Sequence, residues 1–97
     1  MEISKILEDG KITLKVSGRL NTVTASELEN EVSAIGDDIN EVVFDFENLE
    51  YLSSAGLRIL IKTQQRKKSV KLINVSTEVY EVFSITGFTK LFDIEKK

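Results

Sequence analysis

Two adjacent hydroxyls stand between an apolar run and a helical pattern in YLSSAGLRIL, residues 51–60. Three kinds of chemistry suit serines in such a place. A serine at a helix start can cap it, its side-chain oxygen accepting a free backbone N–H, for about 1 kcal/mol. It can act as a nucleophile where a neighbouring base takes its proton. It can also accept a phosphate, because the unpaired N–H groups and the positive end of the helix dipole tolerate added negative charge.

The nucleophile reading fares worst. The chain contains no histidine and no cysteine, so the usual base of a reactive serine, the commonest metal ligand, and all thiolate and disulfide chemistry are missing. The leading glycine of a G-x-S-x-G elbow is absent before Ser54. Lys62 lies about two helical turns beyond Ser54, out of reach of its hydroxyl. No glycine-lysine phosphate loop is present. The expectation is a protein that is not an enzyme and uses no cofactor or metal, with a small serine hydrolase as the outlying alternative. Gly56 costs its helix up to about 1 kcal/mol relative to alanine. Such a glycine signals close approach, either of a kinase to Ser54 or of the helix to a sheet, and both readings stay open.

Charge bears on the partner. No acidic residue occurs from Tyr51 to Thr77, whereas Arg58, Lys62, Arg66, Lys67, Lys68 and Lys71 are basic. Arg58, Lys62 and Arg66 recur every four residues and so share a helical stripe, which is either a solvated face or a docking surface for an acidic partner. The formal net charge of -3 offers no general attraction to nucleic acid, and no basic-aromatic pattern accompanies the stripe. The apolar runs fall far short of the roughly 20 residues that span a bilayer, and the amino terminus lacks a signal-peptide pattern. Direct membrane insertion is therefore not expected, and a cytoplasmic location is.

The elements that must position the serines are legible. With 97 residues, 41% hydrophobic and 30% charged, the chain suits one small globular domain over 1–97. Asp9-Gly10 marks a hairpin, followed by alternating Ile12, Leu14 and Val16, with Gly18 closing the unit. Thr24 and Glu27 fit a capping box for a first helix whose apolar face is Ala25, Leu28, Val32 and Ile35, and Gly36 suits its left-handed end. EVVFDFENL reads as one buried strand covered on both faces, interrupted by Asp45. The second helix begins at the serines, with Leu57, Leu60 and Ile61 as its main apolar face and Ile59 widening it; Arg66, Lys67 and Lys68 suit its own carboxyl end. VKLINV is a further strand. STEVYEVFSITG is a third helix capped by Ser76 or Thr77 and ended by Gly87, and the tail adds a short strand or turn. The predicted fold is α/β, a four- to five-stranded mixed sheet in the order β-β-α-β-α-β-α flanked by amphipathic helices. Its strand-to-helix loops at 18–22 and 51–56 share one edge.

In that frame VVFDFENLEYLSSAGLRIL resembles the core motif of the STAS domain family, particularly its bacterial anti-sigma factor antagonists. GRLNTVTASEL, VKLINVS and VYEVFSITGFTKLFDI resemble other segments of the same family, so the likeness covers nearly the whole chain. The resemblance implies partner switching that regulates sigma-factor-dependent transcription. The unmodified antagonist binds an anti-sigma factor that is a serine protein kinase, phosphorylation releases it, and a metal-dependent serine phosphatase restores it. Matched residue by residue, it implies Ser54 as phosphoacceptor with Ser53 as the fallback, and a partner-binding surface of Arg19, Asn21, Thr22, Ser53, Ser54, Gly56, Leu57 and Arg58. Two positions depart from well-studied relatives: Ser53 and Asn21 each stand where an acidic residue is common. The alternative within the family is a non-switching scaffold or sensor subunit of a signalling or lipid transport complex, in which Ser54 only caps the helix.

Overall fold

A computed structural model describes residues 1–97. The Asp9-Gly10 turn, with Gly10 at φ 68°, joins β1 (Glu2–Glu8) to β2 (Lys11–Leu20) as an antiparallel hairpin. Then follow α1 (Ala25–Ser33), β3 (Glu41–Asp45), β4 (Leu49–Leu52), α2 (Ser54–Arg66), β5 (Ser69–Val75), α3 (Thr77–Thr86), a 3-10 turn (Phe88–Lys90) and β6 (Asp93–Lys96). The main sheet runs β1-β2-β3-β5-β6, and β4 pairs with the far end of β2. Every pairing except β1 with β2 is parallel.

The sheet therefore has six strands, more than the four to five expected. One added strand comes from EVVFDFENLEYL, which is two strands rather than one. After β3 the chain turns at Glu47 and Asn48: the Asp45 carboxylate accepts the Glu47 N–H at 3.0 Å, and the Leu49 N–H donates to the Phe46 carbonyl at 3.1 Å. The other is the tail, whose β6 lies parallel to β5.

The expectation of a strand buried on both faces is also corrected. Val42 and Phe44 of β3 are buried, whereas Val43 and Asp45 are only half-buried. The register sets Ile12, Val42 and Val70 in one row and Leu14, Phe44 and Leu72 in the next, all buried on the same face. The reason is topological. From β2 onward each crossover steps the same way along the sheet, and right-handed crossovers that never reverse put every helix on one side. The opposite face carries half-buried Thr13, Lys15, Val43, Asp45 and Lys71. Lys71 there is held above its ordinary pKa by its hydrogen bond and attraction to Glu95, with Asp93 adding a smaller pull.

Helix packing redraws the expected faces. The inner side of α2 is Gly56, Ile59, Leu60 and Thr63, with Leu57 and Ile61 half-buried beside it. Ile59 is thus central and Leu57 peripheral. A methyl group on Gly56 would lie 2.7 Å from Leu52 Cδ1 and 2.8 Å from Leu20 Cγ and Cδ2. The missing side chain serves helix-to-sheet packing. α3 behaves as expected, with Ser76 accepting the Val79 N–H at 3.3 Å and Gly87 left-handed at φ 81°. Its Phe83 joins a stacked aromatic row, Phe44–Phe46–Phe83–Phe88–Phe92, with centroids 5.2–6.4 Å apart.

The end of α1 is handled in a way the sequence does not announce. Gly36 is not left-handed, and the helix stops at Ser33 with Ala34 as its cap. Carbonyls of its last turn and of the loop after it are met by Arg66, which ends α2, and by the next residue, Lys67. Arg66 donates to the carbonyls of Val32 and Ile35 at 3.1 and 3.3 Å. Lys67, only 8% exposed, donates to those of Gly36 and Ile39 at 2.7 Å each. Positive charge complements the carboxyl end of α1, which has no basic residue of its own in its last turn.

Two stability predictions follow from this packing. Lys67→Met should cost about 2 kcal/mol in urea unfolding, since a charged donor to two carbonyls is lost and the apolar stem alone is replaced. Gly56→Ala should destabilise by about 1–2 kcal/mol despite alanine's better helix propensity, because Leu20 and Leu52 are already close-packed; a more stable variant would show that they can give way.

Candidate functional site

Beyond the irregularity between Gly18 and Arg19, β2 leaves the register it shares with β3 and pairs with β4, Arg19 opposite Tyr51 and Leu20 opposite Leu52. Gly18, at φ 93°, permits the bend, and its N–H donates to the Asn48 carbonyl at 2.9 Å. The ladder extends one step further, Ser53 N–H to Leu20 carbonyl at 2.9 Å. The two parallel strands thus end side by side, and each turns at once into a helix. The starts of α1 and α2 occupy the same edge of the sheet.

Each start is capped locally. At α1 the capping box lies three residues earlier than the expected Thr24–Glu27 pair. Asn21 Oδ1 accepts the N–H groups of Val23 and Thr24 at 3.0 Å, Thr24 Oγ1 accepts the Asn21 N–H at 2.9 Å, and the Ala25 N–H donates to the Asn21 carbonyl at 2.9 Å. This is the reciprocal arrangement of a capping box with Asn21 in the capping role. Thr24 makes no side-chain cap bond to its own helix, since its hydroxyl donates back to the Arg19 carbonyl at 2.7 Å. At α2 the cap is Ser53, extended at φ -96° and ψ 172°, whose Oγ accepts the Gly56 N–H at 3.4 Å.

That assignment separates the two serines. Ser53 is half-buried and engaged in the cap, whereas Ser54 is the first residue of the helix and exposed. The bonding that closes this turn, Ser53 carbonyl to Leu57 N–H at 3.1 Å included, does not use the Ser54 hydroxyl. Around it, Thr22 and Arg58 are exposed and Asn21 and Leu57 half-buried. Arg19 is exposed with its guanidinium 4.4 Å from the Tyr51 ring centre. Gly56 lies beneath, buried against Leu20 and Leu52, and is not presented on this surface.

The basic stripe resolves into separate tasks. Lys62 pairs with Glu29 of α1 at 2.8 Å, and Arg66 is committed to the α1 carbonyls. Arg58 alone among the three remains for a partner. A shallow cleft of about 260 Å³ separates the helices, walled by Thr22, Ser26 and Glu29 on one side and by Ala55, Arg58 and Lys62 on the other. With its ammonium held by Glu29, Lys62 is not placed to serve a serine nucleophile.

Val23, 81% exposed, is the surface residue that the motif reading missed. With Asn21 accepting its N–H, Val23 falls in the exposed turn that leads into α1. An apolar residue two places after an asparagine cap was the available signal.

Comparison with known proteins agrees with this geometry. The STAS domain family model matches residues 2–97. BtrV of Bordetella bronchiseptica, described as a candidate anti-sigma factor antagonist, is 33% identical over 91 residues, covering 89% of this chain and 78% of BtrV. The crystal structure of an anti-sigma factor antagonist from Mycobacterium paratuberculosis superposes with a TM-score of 0.88 at 26% identity, over 99% of this chain and 86% of that one. SpoIIAA, a Bacillus cell fate determinant, shares the fold in its unphosphorylated form (TM-score 0.82, 16% identity, 96% of this chain and 87% of that one) and its phosphorylated form (0.75, 14%, 96% and 90%). A match over nearly the full length, with the serine motif at the helix start that the strand pairing creates, places this chain in the STAS domain family.

Proposed function

We propose that this protein is an anti-sigma factor antagonist that works by partner switching. With Ser54 unmodified it binds an anti-sigma factor, itself a serine kinase, and so frees a sigma factor for transcription. Phosphorylation of Ser54 by that kinase releases it, and a metal-dependent serine phosphatase resets it. No chemistry is asked of the protein beyond presenting one hydroxyl. The observation that carries the proposal is the division of labour at the start of α2, where Ser53 takes the cap and Ser54 stands exposed beside the start of α1.

The energetics suit such a switch. A phosphate adds a charge of roughly -1.5 to -2. Carried into a contact surface it must lose water or face the partner's own carboxylates, at several kcal/mol per buried ion, while a hundredfold loss of affinity needs only about 2.7 kcal/mol. In the free protein the same charge meets the positive end of α2, a gain of about 0.3–1 kcal/mol. The fold is spared because Ser54 holds up no part of it. Neither Asn21 nor Ser53 brings a carboxylate to the edge, and both keep the capping role that an acidic residue would fill. Phosphorylation therefore adds negative charge where those two positions supply none.

Ser54→Asp and Ser54→Glu should leave the circular dichroism spectrum unchanged and weaken pull-down of the cognate kinase at least tenfold; recovery at wild-type strength would refute the switch. Ser53→Ala should lose about 1 kcal/mol of stability with the cap and still be phosphorylated, whereas Ser54→Ala should stay within about 0.5 kcal/mol of wild type and take up no phosphate. Site mapping that put the phosphate on residue 53 would reverse the assignment.

A further inference from the structure

We infer that Arg58 is the internal receiver of the phosphoryl group on Ser54: once that serine is modified, the guanidinium pairs with the phosphate one turn away on the same helix and is no longer free for a partner. The inference rests on the phosphorylation of Ser54 proposed above and concerns where the charge goes after it arrives.

Arg58 is the fourth residue after Ser54 within α2, and side chains at that spacing are neighbours, with β-carbons about 5–6 Å apart. Both residues are exposed. What distinguishes Arg58 is its freedom. The next cation of the stripe, Lys62, is drawn across the cleft to Glu29, and Arg66 is spent on the carbonyls of Val32 and Ile35. The first turn of α2 contains no acidic residue, so no carboxylate of that turn competes for the guanidinium. Of the charged groups on elements packed beside it, Glu29 of α1 is held by Lys62, and Arg19 of β2 lies over the Tyr51 ring. The fork of an arginine matches two phosphate oxygens at once, a geometry that lysine lacks.

The consequence is a switch with two arms. Phosphorylation adds negative charge to the docking edge and, by pairing with Arg58, occupies the free cation of the α2 stripe. An acidic partner is repelled and loses its counter-charge in the same event. Simple repulsion predicts only the first arm.

The test places phosphoserine at position 54 by genetic encoding, so that it needs no kinase, and follows the second ionisation of the phosphate by phosphorus NMR between about pH 5 and 7.5, centred near the usual value of about 6. The chain has no histidine to titrate in that window. Arg58 favours the dianion, so the midpoint in the otherwise wild-type chain should lie about 0.3 unit below that of R58A, a twofold change in the ionisation constant. R58K should recover part of the shift, R19A should leave it intact, and about 1 M salt should abolish it. Equal midpoints for the wild-type background and R58A at low salt would overturn the inference, as would a shift that is lost in R19A instead. Failure of the kinase to modify Ser54 would count against the partner-switching reading, whereas equal midpoints leave that reading in place and remove only the clamp.

Discussion

The parallel pairing of β2 with β4 past the Gly18 bend is the constraint on which the edge that carries the two helix starts depends. It brings Leu20 and Leu52 level, so two segments of the chain leave the sheet at the same height and each leads into a helix there. Helix starts expose unpaired N–H groups, and this molecule answers at both with side chains from its own loops, Asn21 with Thr24 and Ser53. Gly56 completes the arrangement from below, letting α2 settle directly onto the two leucines that end the paired strands. Ser54 is therefore held by backbone geometry and by a buried contact to which its own hydroxyl adds nothing. A group so placed can change charge without loosening its support.

Polar chemistry on α2 is distributed by position rather than by residue type. Arg66 and Lys67 reach the carboxyl end of α1 and the loop after it, Lys62 bridges the helices, and Arg58 faces outward. What looks in one dimension like a continuous basic stripe is, in three, mostly internal bracing. Exposed ion pairs such as Lys62–Glu29 contribute little stability each. The guanidinium and ammonium on the carbonyls of Val32, Ile35, Gly36 and Ile39 matter more, because hydrogen bonds from charged donors are stronger than neutral ones and Lys67 is buried.

One-sided coverage of the sheet has a related cause. Crossovers that always step the same way deliver three helices to one face, where 23 apolar residues form a single core and leave the other face half-exposed. The strands of that sheet nonetheless carry apolar residues at Val43 and Ile73 on the outer side, which is why a run such as EVVFDF looks doubly buried when read alone. Burial in a strand depends on what lies across from it, and that lies elsewhere in the chain.

Local patterns settled a good deal. The Asp9-Gly10 hairpin, the caps and stops of α3 at Ser76 and Gly87, the succession of strand and helix regions as far as α3 with β3 and β4 read as one, and the helix start at the serines all follow from interactions between residues a few positions apart. Each has a signature in the order of residues. Tertiary structure decided the matters that depend on distant partners. It split one apolar run into β3 and β4 because the bend at Gly18 offers a second pairing edge. It moved the α1 capping box to Asn21, where the end of β2 places the turn, and it left Gly36 without a capping role because Arg66 and Lys67 arrive from another helix. It gave Gly56 a packing partner and assigned cap and exposed hydroxyl to Ser53 and Ser54 respectively. Short-range hydrogen bonding and periodicity are written along the chain; which neighbour fills a space is known only once the chain has closed on itself.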